Sequence, residues 1–107
     1  MKNGFEIEWT SEAKRNLNSI FDYLENSWSE REISNFAKKM ESDLKIISKH
    51  PATFPYFDKD KNVRRCVLTP QTTIYYREIP SENRVVIITL FDNRQNPDSL
   101  NLLFTPF

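Results

Sequence analysis

The chain has 107 residues, of which 38% are hydrophobic and 28% charged, and its formal net charge at pH 7 is zero. This composition fits one folded domain spanning residues 1–107 and excludes an intrinsically disordered chain. The zero net charge argues against binding nucleic acid through the field of the whole protein.

Targeting and metal-binding signals are missing from the sequence. No apolar run reaches the roughly 18 residues that a membrane-spanning helix needs, and the N-terminal MKNGFEIEW is charged where a signal peptide is apolar. Cys66 and His50 are the single cysteine and histidine, which excludes a disulfide framework, a zinc site and a Cys–His nucleophilic pair. We therefore expect a cytoplasmic protein with no membrane contact, no metal and no cofactor.

The first half of the chain predicts one strand and a helical hairpin. Phe5, Ile7 and Trp9 alternate with glutamates, which is typical of a strand with one buried face. A helix is predicted from Ser11 to Trp28, capped by Thr10 or Ser11, with apolar residues at helical spacing. Ser29 and Glu32 have the spacing of a capping box, and the second helix ends before Pro51. Two helices with almost no linker form an antiparallel hairpin.

The second half predicts a three-stranded antiparallel meander. A loop over residues 51–57 and a polar turn over 58–62 lead to strands at Val63–Leu68, Thr73–Ile79 and Val85–Phe91. The last of these is the most apolar run in the chain, and we expect it to be buried on both faces. The first strand must join the same sheet, since its apolar face has no other place to pack. The fold class is therefore α+β, in the order β-α-α-β-β-β.

The C-terminal tail is too apolar to be left in water. Asn96 and Pro97 have the pattern of a helix cap and first turn. Leu100, Leu103 and Phe104, together with Phe107, either fold back on the domain or contact a partner.

Standard catalytic motifs are also missing. His50 ends the second helix and reads as a C-terminal capping residue, because a cation there suits the helix dipole. Gly4 is the single glycine, which rules out a P-loop and a dinucleotide-binding motif.

Arginines and tyrosines on adjacent strands remain as the candidate functional side chains. Arginine binds phosphate in a bidentate manner, and tyrosine stacks on bases or transfers a proton. Because side chains alternate across a sheet, one face is predicted to carry Arg65, Tyr75 and Arg77, and the other Arg64 and Tyr76. Asn93 and Arg94 follow the last strand. In the alternative interpretation, these arginines are exposed sheet positions paired with Glu78, Glu82 and Asp92.

The arrangement resembles the RelE/ParE superfamily of toxins from type II toxin–antitoxin systems, which includes plasmid stabilisation proteins. The matching stretches are FEIEWTSEAKRNLNSIFDYL, NVRRCVLTPQTTIYYRE and IITLFDNRQNP. The resemblance implies a small toxin that a cognate antitoxin neutralises in a hetero-oligomer. It also implies one of two targets: RelE-like members cleave mRNA on the ribosome, and ParE-like members inhibit DNA gyrase.

The resemblance assigns residues unevenly. Arg64, Arg65 and Arg94 fall where ribonuclease members have basic residues, and Tyr75 or Tyr76 is the candidate for proton transfer. Thr73, however, lies near the position where many of them have an arginine, and no tyrosine or histidine follows Arg94. These departures favour the ParE-like branch, or a member with weakened activity.

Three hypotheses follow from the sequence. The first is a gyrase inhibitor whose target-binding residues are Arg65, Tyr75, Arg77, Asn93 and Arg94. The second is a ribosome-dependent mRNA endoribonuclease, with Arg64, Arg65, Tyr76 and Arg94 catalytic. The third is a non-toxic family member that only binds the antitoxin.

Overall fold

The structure is a computed structural model that describes residues 4–95, 100 and 103–104. The strands and helices, in chain order, are β1 (Glu6–Trp9), α1 (Ser11–Ser27), α2 (Glu30–Lys49), β2 (Tyr56–Asp58), β3 (Val63–Val67), β4 (Thr72–Ile79) and β5 (Arg84–Asp92). Single 3₁₀ turns at Pro51–Thr53 and Pro80–Glu82 precede β2 and β5.

All five strands form one mixed sheet in the order β1-β5-β4-β3-β2. Strand β1 pairs with β5 in parallel, from Glu6 opposite Arg84 to Trp9 opposite Ile87, and the other pairs are antiparallel. Tyr75 lies opposite Thr89 whereas Tyr76 lies opposite Ile87, so that Ile88 is an extra residue in β5. The expected α+β order and the joining of the first strand to the meander are confirmed.

The helices begin where the sequence places their caps. The Thr10 hydroxyl accepts a hydrogen bond from the Ala13 amide at 3.0 Å. Ser29 and Glu32 form the complete capping box, which satisfies two of the free amides at the start of α2. His50 is the C-cap of α2, and its amide donates to the Ile46 carbonyl. These three predictions are confirmed.

The two faces of the sheet carry separate apolar clusters. The helical hairpin covers one face, which we call the helix face, and its core includes Leu24, Phe36, Ile47, Ile74, Tyr76 and Ile87. We call the opposite side the Tyr75 face. Its cluster combines sheet residues with two residues near the C-terminus and consists of Val63, Tyr75, Ile88, Phe91, Leu100 and Phe104. Strand β5 is therefore buried on both faces, as expected.

The prediction of a loop over residues 51–57 was wrong in part. This stretch holds a 3₁₀ turn and the start of β2, which lies at the sheet edge and pairs only through Tyr56 with Arg64 and Asp58 with Val63. A three-residue strand directly after Pro55 gives too short a pattern for its period to be recognised. In the tail, Leu100 and Phe104 fold back on the domain, while the possible cap at Asn96 and Pro97, and Phe107, lie outside the described residues.

Candidate functional site

Arg65 and Tyr75 lie side by side on the Tyr75 face, opposite each other in the β3–β4 register. The Arg65 side chain is exposed, but Tyr75 is only 5% exposed. The Tyr75 ring contacts Phe57 and Phe104, with centroid distances of 5.0 and 5.3 Å. Burial raises the pKa of the Tyr75 hydroxyl, and the nearby Arg65 charge opposes part of that increase. This face thus presents an exposed cation beside a covered ring.

Arg77 is the second arginine of the Tyr75 face, and it is buried. Only 4% of it is exposed, and its Nε donates to the Lys61 carbonyl at 3.2 Å. Burial lowers the pKa of the guanidinium. The turn that Arg77 grips contains Asn62 in the left-handed conformation, with φ 56°, and Asn62 donates to the Glu78 carbonyl. Arg77 therefore fastens the β2–β3 turn to β4.

Arg64 and Tyr76 lie together on the helix face and bind the connection that follows α2. The Arg64 Nη1 donates to the Phe54 carbonyl at 2.7 Å, and its guanidinium lies 3.8 Å from the centre of the Tyr56 ring. The Tyr76 hydroxyl donates to the Pro51 carbonyl at 2.6 Å, and Tyr76 is fully buried. Burial raises the pKa of this hydroxyl, so Tyr76 keeps its proton.

The third group of predicted residues forms a corner where β5 ends. Asp92 accepts a hydrogen bond from the Arg94 amide at 2.9 Å. It also accepts from two nitrogens of the Arg94 guanidinium, Nε at 3.0 Å and Nη2 at 2.8 Å. These bonds hold the pKa of Asp92 below its usual value. The Arg94 side chain remains 66% exposed. Asp92 thus fixes the direction of an arginine that stays open to solvent.

Asn93 has a different role from that of its neighbour. Its side-chain oxygen accepts from the Thr73 hydroxyl at 2.9 Å, and its side-chain amide donates to the Pro70 carbonyl at 3.2 Å. The backbone amide of Asn93 donates to the Gln71 carbonyl. Asn93 therefore ties the β3–β4 turn to the end of β5 and supports the corner on which Arg94 stands.

The corner opens into a groove of about 650 Å³ between α1 and the ends of β4 and β5, which we call the α1 groove. Its lining combines polar and aromatic residues, among them Glu12, Asn16, Tyr23, Trp28, Asp92 and Arg94. Asn16 accepts from the Thr89 hydroxyl at 2.7 Å and donates to Glu12 at 2.9 Å. The hydrogen bond from Asn16 is the main cause that lowers the pKa of Glu12, and the hydrogen bond from Arg15 is the second.

Sequence reasoning missed Asn16 and Tyr23 as groove residues. The available signal was spacing, because Asn16 and Tyr23 each stand three residues from an apolar position of the α1 stripe, at Ala13 and Ile20. Of the two, Asn16 is partly buried and bonds to Thr89 of β5, whereas Tyr23 is 55% exposed.

The predicted residues thus occupy three separate places. Alternation across the sheet separates the Arg65 and Tyr75 pair from the Arg64 and Tyr76 pair. Arg77 stands five residues along β4 from Thr72, which pairs with Asp92, so about 17 Å of strand separates it from the corner. Within residues 4–95, 100 and 103–104, no set of three or more His, Cys, Asp or Glu side chains could hold a metal ion. Over the same residues, no helix is both long and apolar enough to cross a membrane.

Known structures share this fold. A structure described as "Chromosomal ParDE TA system from P. aeruginosa" superposes with a TM-score of 0.67 and 13% identity, over 85% of this chain and 98% of that chain. A second, "Crystal structure of metal-bound toxin from Helicobacter pylori", gives a TM-score of 0.57 and 16% identity, over 84% and 96%. No curated protein matches the sequence.

The strand, helical hairpin and antiparallel meander of this chain therefore have the fold of these two structures. A family model, "ParE toxin of type II toxin-antitoxin system, parDE", matches residues 7–97. The chain belongs to this ParE toxin family.

Proposed function

We propose that the protein inhibits growth by binding DNA gyrase rather than by cleaving RNA, and that a cognate antitoxin neutralises it in a hetero-oligomer. One observation carries the choice of binding over cleavage. Both tyrosines that are candidates for proton transfer are covered: the Tyr76 hydroxyl is fully buried and donates to the Pro51 carbonyl, and Tyr75 is only 5% exposed. General acid–base catalysis requires the catalytic group to reach the proton that it transfers.

The target-binding role falls on Arg94. The corner offers an exposed guanidinium whose direction is set by Asp92, and Asn93 braces the backbone on which it stands. Preorganised side chains lose less conformational entropy on binding than mobile ones do. Arg65 adds a second exposed cation on the Tyr75 face.

Geometry gives the ribonuclease alternative less support. Its four candidates are divided between the helix face (Arg64 and Tyr76), the Tyr75 face (Arg65) and the corner (Arg94). An RNA-cleaving site needs these groups within reach of one phosphate.

The antitoxin partner is supported by the family to which the chain belongs, whose description names a toxin–antitoxin system. The P. aeruginosa structure that shares the fold is likewise described as a ParDE TA system. We infer the same kind of partner for this chain.

The test has two stages. The gene is induced alone in a bacterial host, and DNA and protein synthesis are followed by pulse labelling. An early fall in DNA synthesis supports the gyrase proposal, whereas an early fall in protein synthesis supports the ribonuclease. Unchanged growth identifies a non-toxic family member. In the second stage, purified toxin is titrated into a gyrase supercoiling assay.

Arg94→Ala should abolish inhibition in both stages while the fold remains intact. Arg15→Ala is the matched control, because its side chain is 68% exposed, against 66% for Arg94, and each arginine has a carboxylate oxygen at 2.8 Å. Full inhibition by Arg94→Ala would remove the corner from the target-binding surface.

A further inference from the structure

The side chains of β5 change direction at a bulge. Before the bulge, Val85 and Ile87 belong to the helix-face core. Beyond Ile88, the extra residue of the strand, Leu90 belongs to that core and Phe91 to the cluster of the Tyr75 face. One additional residue in a strand moves every later side chain to the opposite face. The bulge therefore reverses the alternation of β5 for all residues that follow it.

This reversal decides on which side of the sheet Asp92 and Arg94 lie. Asp92 stands two positions after Leu90 and shares its side of the sheet. Asp92, Leu90 and Arg94 all line the α1 groove. Without the bulge, the alternation that runs through Ile87 would place Asp92 on the Tyr75 face, away from the groove. The position of the Asp92–Arg94 pair thus depends on the extra residue at Ile88.

The start of α1 binds the bulge where strand pairing stops. Strand β1 pairs with β5 only as far as Trp9 opposite Ile87, so β1 does not reach the bulge. The Thr10 backbone amide donates to the Ile87 carbonyl, and the Thr10 hydroxyl donates to the Ile88 carbonyl at 2.6 Å. Thr10 therefore extends the pairing by one residue through its side chain.

Asn16 holds the two residues that follow the bulge. Its Oδ1 accepts from the Thr89 hydroxyl at 2.7 Å and from the Leu90 amide at 3.2 Å. Its Nδ2 donates to Glu12 at 2.9 Å, which fixes the orientation of the side-chain amide. Thr89 is only 1% exposed, and a hydroxyl so buried needs a partner. One oxygen of Asn16 thus binds both the backbone and a side chain of β5 just beyond the bulge.

We propose that Asn16 is a positioning residue for Arg94: by holding the bulge of β5, it keeps Asp92 and Arg94 at the α1 groove. The inference rests on the proposed function in one respect, namely that Arg94 contacts the target. The role of Asn16 in holding the bulge is independent of any target. The two parts are therefore tested by separate measurements.

Three substitutions in α1 provide the comparison. Asn16→Leu removes the acceptor that holds the bulge. Asn16→Asp keeps an acceptor there but cannot donate to Glu12. Asn26→Leu is the matched control, because Asn26 is an exposed asparagine of the same helix whose side-chain amide donates to the Asp22 carbonyl at 2.9 Å.

The first measurement follows the side-chain direction of β5 by NMR in the full-length protein. The Tyr75 and Phe91 rings, with centroids 6.3 Å apart, report on the strand beyond the bulge. The Phe21 and Phe36 rings, 5.7 Å apart between the helices, are the internal reference for an intact fold. Asn16→Leu should weaken the Tyr75–Phe91 cross-peak relative to the reference.

Asn16→Asp and Asn26→Leu should leave the same ratio as in the wild type. A ratio that Asn16→Leu does not change would mean that the bulge holds without Asn16, and would overturn the proposal. If Asn16→Leu does not fold, Thr89→Val removes one of the two hydrogen bonds to Asn16 while keeping a branched side chain of similar shape, and is measured in the same way.

The second measurement is inhibition of gyrase supercoiling. Asn16→Leu should weaken inhibition about tenfold, whereas Asn16→Asp and Asn26→Leu should inhibit as the wild type does. In an Asp92→Asn background, Asn16→Leu should cost at most about twofold more, because both residues act through the direction of one guanidinium. A purely structural role would give the same loss in both backgrounds, and that result would overturn the assignment of Asn16 to positioning.

The two measurements separate this inference from the proposed function. A wild-type protein that does not inhibit gyrase would refute the proposed function, while the ring cross-peaks would still decide whether Asn16 holds the bulge. Conversely, inhibition by the wild type with an unchanged cross-peak ratio in Asn16→Leu would refute only the role of Asn16.

Discussion

Asp92 binds the guanidinium of Arg94 through both carboxylate oxygens, and one of them also accepts from the Arg94 amide. A residue that follows the strand by two positions is thereby locked in one direction although it is mostly exposed. Asp92 thereby links the end of β5 to Arg94, the residue that we assign to target binding.

Asp92→Asn should loosen the orientation of the Arg94 side chain without removing its positive charge. The amide oxygen can still accept from the Arg94 backbone, but the charge-assisted, two-oxygen grip on the guanidinium is lost. We expect about tenfold weaker inhibition of gyrase supercoiling, the ratio that corresponds to about 1.4 kcal/mol of binding. The melting temperature should change little, since exposed ion pairs contribute little to stability. Unaltered inhibition would show that Asp92 does not position Arg94.

Acid should release the same grip. The pKa of Asp92 is lowered in the fold, chiefly by the side chain of Arg94, so its contribution is complete above the unfolded value and is lost as pH falls through the folded value. In a pH titration followed by NMR, we expect the carboxyl resonance of Asp92 to titrate with a midpoint below the usual pKa of aspartate. In Arg94→Ala, this midpoint should return toward the usual value. A titration that is identical in the two proteins would contradict the pairing in solution.

Tyr76→Phe removes one hydroxyl from the fully buried Tyr76–Pro51 hydrogen bond. The Pro51 carbonyl then loses its donor, which should cost about 1–3 kcal/mol in the free energy of unfolding. Growth inhibition per folded molecule should be retained, because Tyr76 has a structural role in our proposal. Tyr23→Phe, at a tyrosine that is 55% exposed, is the control and should leave stability unchanged. A folded Tyr76→Phe protein that has lost all inhibition would revive the ribonuclease hypothesis.

Two lysine–carboxylate pairs on α2 have the same i,i+4 spacing but different burial. Lys39 Nζ lies 2.5 Å from Asp43 Oδ2, and the Asp43 side chain is only 6% exposed. Lys45 Nζ lies 3.5 Å from Glu41 Oε1, and the Glu41 side chain is 70% exposed. Lys39→Met should destabilise the protein by about 1–3 kcal/mol, because it leaves a buried carboxylate without its cation. Lys45→Met should cost at most about 0.5 kcal/mol. Equal losses on urea titration would show that the burial of Asp43 does not matter.

The Cys66 thiol should make stability fall in alkali. Burial, then the charge of Asp43, raises the pKa of Cys66 to about 12 from an ordinary value of 9.0. Between these two values the unfolded chain releases a proton that the native chain keeps, so this residue lowers stability as pH rises. We expect the stability of wild type relative to Cys66→Ser to be constant below pH 8 and to fall above pH 9. A constant difference up to pH 11 would contradict the raised pKa.

The sequence predicted the frame of the fold because its signals are local. The Ser29 capping box, the apolar stripes and the alternation at Phe5, Ile7 and Trp9 each report on neighbours within a few residues. The same alternation correctly separated Arg65 and Tyr75 from Arg64 and Tyr76, since β3 and β4 pair without interruption from Arg64 to Val67.

Burial of the site residues could not be predicted in this way. Tyr75 is covered by Phe104, 29 positions further on, and Tyr76 is held by Pro51, 25 positions earlier. Asn93 is exposed, but its hydrogen bonds to Thr73 and Pro70 across the sheet end could not be predicted either. Such partners depend on the strand register and on which distant segments fold back against the sheet. Composition and the spacing of apolar residues do not encode either of these.

The parallel pairing of β1 with β5 has a consequence for synthesis on the ribosome. Glu6 pairs with Arg84, and the Thr10 hydroxyl bonds to the Ile88 carbonyl, a separation of 78 residues. A chain is made from its N-terminus, so its first strand waits unpaired until nearly the last part of the sheet has emerged. Closing so long a loop also makes folding slow relative to local hairpins. The sheet therefore stays incomplete until β5 has emerged, whichever of the other strands has already paired.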